Sequence, residues 1–376
     1  MQRGLDPIYI HMGMSVELPP KTIIEQLAAN QYKEGAHTYA LPRGESELLT
    51  AISLYMNRRF NVQVASNENV CVLPGNCPGI FFIMKDLLKP GIVALPTPGY
   101  PPFFTAAKKG GHDICATPLT IENNFMPDIS KAVEILQAKQ KLNDLNALFI
   151  NYPHNPTGAV ANLQYLEGIV NLARKHSFLV ISDMTYSDIY NPSCEKPHSI
   201  FEIPGAESVA IELHTFGKTF SMTGDRAGFV ISNPEVIKLF ETYIKHVHIG
   251  NVPKPIQLAI ASGLNDPQCL DYVQQNNIGY SQKFDLMTDG LTKLGWEIPN
   301  FTRAGFFLWV PVLEKDKSSR DFFYDLLYKA GVVVVPGSDF GEEGEGYIRI
   351  SLTQPISKLK EVLQRLETNG FDYSKK

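Results

Sequence analysis

Apolar residues recur along this chain in two rhythms. Leu48, Ile52 and Met56 fall four apart within residues 44–59, and Leu163, Leu166, Val170 and Ala173 keep a similar helical spacing within 161–176. Such stripes give a helix one apolar face. Between such helices lie short apolar runs at 69–73, 92–96, 147–152, 178–182, 208–213 and 227–231. Runs of this length, bounded by turn residues, read as strands buried on both faces. Strands alternating with helices predict βαβ units. The expected fold class is therefore α/β, a mainly parallel sheet flanked by helices.

The rhythm changes towards the C-terminus. Residues 268–294 contain few breakers and predict one long helix. After Gly295, runs at 306–310, 332–335 and 347–352 accompany a helix near 319–330, the pattern of a smaller α+β unit. Pro253-Lys254-Pro255 predicts a loop ahead of that change. The expected division is a large domain over 31–270 and a small one built from 1–30 and 271–376, with the long helix bridging them. A chain of 376 residues, 44% hydrophobic and 19% charged, has ample material for two cores.

In open α/β sheets, ligands bind beyond the carboxyl ends of the strands. The chemically marked residues of this chain follow its apolar runs. Asn155 lies in Asn-Tyr-Pro-His-Asn-Pro-Thr-Gly, 151–158; Asp183 and Tyr186 lie in Ser-Asp-Met-Thr-Tyr, 182–186. Lys218 and Arg226 lie in His-Thr-Phe-Gly-Lys-Thr-Phe-Ser-Met-Thr-Gly-Asp-Arg, 214–226. An aldehyde cofactor with a pyridine ring, a phenolic oxygen and a phosphate needs such groups. A lysine holds the aldehyde as a Schiff base, an acid pairs with the ring nitrogen, and a cation holds the phosphate.

Each of these residues also has a plainer reading. Asp183 ends a buried run, where an acid needs a partner, yet aspartate also caps helices. Asn155 offers an amide to a phenolic oxygen, or a cap to the helix near 161–176. Arg226 suits a phosphate, with Thr215 and Ser221 supplying hydroxyls and Gly224 room, or it pairs with Asp225. Gly75-Asn76-Cys77-Pro78-Gly79 starts a helix whose free amides face a phosphate, or is a simple turn. Tyr100 stacks on a flat ring or fills a loop. Tyr39 has no local reading. Arg349 sits between isoleucines in an apolar run; alternation alone favours the exposed face, whereas a carboxylate-bearing substrate would justify burial.

A net charge of −5 favours neither nucleic acid nor an anionic membrane. The five cysteines are scattered without a CxxC pair, which fits reduced thiols and a cytoplasmic protein. No cluster has metal-ligand spacing, so no metal is expected. No run is long enough to span a bilayer, and the first residues lack the apolar core of a secretory signal.

Together these segments resemble the class I/II aminotransferases, fold-type I pyridoxal-phosphate enzymes related to aspartate and LL-diaminopimelate aminotransferases. Pro-His-Asn-Pro-Thr-Gly, Asp-x-x-Tyr, Lys-Thr-Phe-Ser-Met-Thr-Gly-x-Arg, Val-Val-Val-Val-Pro-Gly-Ser-Asp-Phe-Gly and Gly-Tyr-Ile-Arg-Ile-Ser carry the likeness, from about Gly13 to Leu366. The resemblance implies pyridoxal 5'-phosphate bound to Lys218 as a Schiff base, with Asp183 on the ring nitrogen. Tyr186 and Asn155 would hold the phenolic oxygen, and Tyr100 would stack on the ring. Thr215, Arg226 and the amides of the Gly75, Asn76 and Cys77 turn would hold the phosphate. Arg349 would clamp the substrate carboxylate, Gly13 and Asn155 would line its pocket, and Asn155–Pro156 would be cis. Tyr39 would reach the phosphate of a neighbouring subunit in a homodimer.

The chain departs from the family pattern at Gly217, where a Ser or Ala is common, at Asp225, often aromatic, and at Asn76-Cys77-Pro78. Only 12 residues precede Gly13, so the family's N-terminal arm is expected to be nearly absent, with no room for the DNA-binding domain of a regulator. The implied reaction moves an amino group between an L-amino acid and a 2-oxo acid. A β/γ-elimination lyase, or a synthase of the aminocyclopropane-carboxylate type, would use the same cofactor machinery. Arg43, Arg303 and Lys254 are candidates for reading a distal carboxylate.

Overall fold

The computed structural model describes residues 6–299 and 304–374. In chain order its strands are β1 (Ile8–Tyr9), β2 (Val70–Leu73), β3 (Ile92–Thr97), β4 (Asp113–Pro118), β5 (Leu145–Asn151), β6 (Leu179–Asp183), β7 (Ala210–Thr215), β8 (Gly228–Ile231), β9 (Phe307–Pro311), β10 (Val332–Val333), β11 (Val335–Pro336) and β12 (Tyr347–Ser351). The central sheet runs β2-β8-β7-β6-β5-β3-β4. Strands β4, β3, β5, β6 and β7 pair in parallel, while β8 is antiparallel to both its neighbours, β7 and β2. The expected mainly parallel sheet is thus present with one reversed strand.

Successive residues of a strand face opposite sides of the sheet, and here both sides are covered. Val93, Leu95, Phe149, Ile181, Ile211 and Leu213 pack into one apolar cluster with Phe103 and Phe240. Ile92, Ala94, Leu148, Ile150, Val180 and Ala210 pack into another with Leu166, Ile169 and Val170. That double burial explains the unbroken apolar runs. β4 escaped the sequence reading because it is an edge strand, mostly exposed, with no such run. β1 is too short to show a pattern.

The helix stripes read from sequence fall on Ser46–Phe60 and Leu163–His176, and the long helix spans Pro267–Lys293. Pro253-Lys254-Pro255 is not a plain loop: helix Lys254–Asn265 begins there, with Pro255 in its first turn, where no N–H is required. The run 332–335 divides between two sheets. β10 pairs with β1, and β11 pairs with β12, which pairs in turn with β9. Around these strands a separate apolar cluster gathers Ile8, Ile10, Phe284, Met287, Leu308, Val310, Phe322, Ile348 and Ile350.

Ile211 is fully buried in the middle of β7. Ile211→Ala is expected to lower the unfolding free energy by about 2–5 kcal/mol, the cost of lost burial plus a residual cavity. A denaturant titration of the variant against the parent chain checks this.

Candidate active site

The strand directions decide which side chains meet. Parallel β3, β5, β6 and β7 end at one edge of the sheet, and each is followed by marked residues: Tyr100, Asn155, Asp183 with Tyr186, and Thr215 with Lys218. β2 ends there too, just before Gly75. Because β8 is reversed, it contributes its beginning. Gly228 lies opposite both Leu73 and Thr215, which brings Arg226 to the same edge. A Cβ on Gly228 would stand 2.5 Å from the His214 carbonyl oxygen, so only glycine permits this approach.

A cavity of about 240 Å³ opens at this edge. Gly13, Asn76, Cys77, Tyr100, Asn155, Asp183, Tyr186, Thr215, Lys218, Arg226 and Arg349 line it, with Ile80, Asn151, Thr185 and Phe307, which the sequence reading did not single out. Thr185 and Asn151 left a signal, since each lies within a marked segment. Phe307 sits in an apolar run and carried none.

Lys218 occupies the short turn Phe216–Thr219 that follows β7, a turn capped by the Thr215 hydroxyl accepting from the Gly217 N–H at 3.2 Å. Its amine donates to the Gly13 carbonyl and stands 5.8 Å from the centre of the Phe306 ring. Burial, then the positive charges of Arg226 and Arg349, pull its pKa down to about 8, against the opposing pull of Cys77 and Asp183. An amine held there is easily freed of its proton, as a base or nucleophile must be.

Asp183 is buried, and burial raises its pKa. Three donors meet its Oδ1: the Thr185 hydroxyl at 2.6 Å, the Thr185 N–H at 3.1 Å and the Asn76 side-chain amide at 3.0 Å. These hold the carboxyl in one orientation and leave Oδ2 for a further partner. Asp183 is the last residue of β6, not a helix cap. Asn76 therefore does more than lend a backbone amide, since its side chain orients the acid.

Arg349 corrects the exposed placement that alternation favoured. It is buried, because the three-stranded sheet presents this face to the cavity rather than to water. Its Nη1 donates to Asn155 Oδ1 at 2.7 Å and its Nη2 to the His11 carbonyl at 2.7 Å. Its guanidinium carbon lies 4.0 Å from the Phe307 ring centre and 4.9 Å from that of Phe340. Nε is buried with no partner among the described residues. The contact also fixes Asn155: with its oxygen toward the cation, its NH₂ remains to donate. Burial raises the pKa of Tyr186 and of Tyr100, so both phenols keep their protons.

Arg226 adopts a left-handed backbone, φ 53°, and makes no ion pair with Asp225; its Nη1 donates to the Thr223 carbonyl at 3.0 Å. Gly75, with φ 85°, lies against it, and a Cβ there would stand 2.7 Å from Arg226 Nη2. Ser221 is turned to Tyr272, whose hydroxyl lies 2.8 Å from its oxygen. Tyr39 is 79% exposed and lies outside this cavity. Arg43 is paired with Glu241 at 2.7 Å, and Lys254 donates to the Thr38 hydroxyl at 2.7 Å; neither lines the cavity. Arg303 lies outside the described residues. Asn155–Pro156 is cis, as are Thr97–Pro98 and Tyr152–Pro153. Among the described residues no group of side chains has the makings of a metal site, and no helix is long and apolar enough to cross a membrane.

The description "Aminotransferase class I and II" matches residues 11–366. The chain belongs to the class I and II aminotransferase family. This aminotransferase is 35% identical over 368 residues to the LL-diaminopimelate aminotransferase of Aquifex aeolicus, covering 98% of this chain and 92% of that one. It is 32% identical to the enzyme of that name from Halothermothrix orenii, over 99% of this chain and 93% of the other. Among solved structures it is similar to substrate-bound BacF from Bacillus subtilis, with TM-score 0.90 and 28% identity over 96% of this chain and 90% of that one. It is also similar to an aspartate aminotransferase from Thermus thermophilus with maleate, with TM-score 0.89 and 25% identity over 98% and 92% of the two chains. The fold is the fold-type I architecture, and the enzyme is a pyridoxal-phosphate-dependent transaminase. These relatives do not favour the elimination or synthase chemistry left open above.

The donors fit that cofactor. A buried acid has one oxygen to spare, and Arg226 sits in a cradle that a single methyl group would fill. Gly75→Ala is therefore expected to displace the Arg226 guanidinium and weaken pyridoxal-phosphate binding at least about tenfold, since charge-assisted bonds are lost. Equilibrium dialysis of the cofactor against the variant checks it.

Proposed function

We propose that this enzyme exchanges an amino group between an L-amino acid, with LL-diaminopimelate the first donor to test, and a 2-oxo acid, using the residues of this cavity in the following roles. The single observation that carries the reading is the amine of Lys218, its pKa pulled down to about 8, in one cavity with Asp183, Arg226 and Arg349. The names of the curated relatives support the donor.

Pyridoxal phosphate, when bound, supplies an aldehyde for amine capture and a ring that withdraws electrons from the amino acid's α-carbon. Lys218 would hold the aldehyde, and its Nζ would take the amino acid's α-proton and later return it. Asp183 Oδ2 would partner the ring nitrogen. The Asn155 NH₂ and the Tyr186 hydroxyl would donate to the phenolic oxygen, and Tyr100 would stack on the ring. Arg226, Thr215 and the N–H groups of the Gly75-Asn76-Cys77 turn would hold the phosphate. Arg349 receives the substrate α-carboxylate, its fork aimed by Asn155 and the His11 carbonyl, with Gly13 beside it.

The exposed Tyr39 belongs to a homodimer in this reading, serving the phosphate of the partner subunit. The division into a large body and a small one is part of the same proposal. The separate cluster around Ile8, Phe284 and Ile348 supports it, and the packing of Ile23 with Ile260 and Leu264 supports counting helix Lys21–Asn30 with the large body, although residues 1–30 were expected in the small one. Free, scattered thiols support a reducing, cytoplasmic setting.

Lys218→Ala is expected to cut turnover with LL-diaminopimelate and 2-oxoglutarate by about 10²–10⁴-fold, the usual contribution of a positioned base. Full activity in that variant would refute the reading. Arg349→Lys keeps a cation but loses the two-pronged contact, so the donor KM is expected to rise about tenfold with a smaller change in kcat. A donor panel that includes aspartate and aromatic amino acids, measured with the parent enzyme, decides the substrate.

A further inference from the structure

Outside the cavity lining lies a buried ion pair that the chemistry above does not use. Asp188 is 5% exposed. Its Oδ1 accepts from Arg59 Nε at 3.2 Å, and its Oδ2 accepts from the Tyr55 hydroxyl and the Thr219 hydroxyl, both at 2.9 Å. Arg59 also donates to the Ser187 carbonyl at 2.8 Å and lies 4.4 Å from the centre of the Phe60 ring. The Asp188 carbonyl accepts from the Asn277 side-chain amide at 3.0 Å. A single residue thus joins helix Ser46–Phe60, the segment after β6, the turn after β7 and the long helix Pro267–Lys293.

The connectivity gives this hub its meaning. Asp188 follows Tyr186 by two residues and Asp183 by five, and Thr219 follows Lys218 directly. Strand pairing sets Asp183 beside Leu213, but Tyr186 and Lys218 both lie past the strand ends, where no ladder fixes them. The Thr219 hydroxyl has one proton to give. Its competing acceptor, the Thr215 carbonyl of its own turn, stands at 3.4 Å, so the shorter bond to Asp188 takes it. Burial, then the charge of Asp188, raises the Tyr55 pKa, so that phenol remains a donor.

We propose that Asp188 is a positioning residue for the reactive amine: through Thr219 it locks the turn that carries Lys218 to the segment that carries Asp183 and Tyr186. The claim rests on the roles assigned to those three residues above. A misplacement of about 1 Å at a reacting group costs about 10²-fold in rate, which makes a polar bridge between two segments past the strand ends consequential.

Asp188→Asn strands the buried charge of Arg59 and threatens folding itself, so the test uses Thr219→Val. That variant keeps the shape and removes only the bridge. In the holoenzyme, kcat is expected to fall about tenfold while KM and the thermal midpoint hold, and Thr219→Ser restores kcat. Amide exchange measured over 216–222 rises in Thr219→Val and stays unchanged over helix Ser46–Phe60. Parent-like kcat and exchange in Thr219→Val would overturn the proposal, as would a kcat loss that tracks a falling thermal midpoint and resists Thr219→Ser. An active Lys218→Ala sinks the underlying roles; an inactive Lys218→Ala beside a parent-like Thr219→Val sinks this claim alone.

Discussion

Lys218 places a primary amine inside a cavity whose described lining also carries the cations Arg226 and Arg349. Burial and those two charges oppose its protonation, while Asp183 and Cys77 pull the other way. This balance is what the site depends on. An amine on a freely solvated stem stays protonated at neutral pH and does nothing. The two arginines thus act on the Lys218 amine directly, whatever else they bind.

The balance is available only because the sheet brings distant segments to one edge. Parallel strands present their ends together, and the single reversed strand delivers Arg226 from its start. The smaller sheet then supplies Arg349 from the other side, and its side chain reaches Asn155 across the cavity. The smaller sheet and the segment after β5 are thus linked at the cavity by that hydrogen bond. The Arg349 guanidinium is already oriented by that bond and by its stacking on Phe307.

Much of this was legible in the chain. Apolar runs buried on both faces announce themselves without a partner structure, and β2, β3, β5, β6, β7 and β8 were all anticipated close to their observed bounds. The marked side chains were legible because each follows such a run. What escaped had a physical reason. β4 is an exposed edge. The four valines at 332–335 look like one strand, yet the chain there passes from one sheet to another. Alternation alone favours exposure for Arg349 because it describes a sheet with one wet face, whereas this face is covered. Phe307, Asp188 and Thr219 meet their neighbours only through the fold, and such contacts leave no periodic trace.

Lys218 gives up its proton far below an ordinary lysine in this pocket, near pH 8, because burial and two arginines oppose its charge. This is tested most directly by measuring the pH dependence of acylation of Lys218 in the cofactor-free protein, with the labelled site read by peptide mass spectrometry. A midpoint near 8 is expected, moving upward in Arg226→Met. A midpoint at the ordinary lysine value, unmoved by the loss of that arginine, would contradict it.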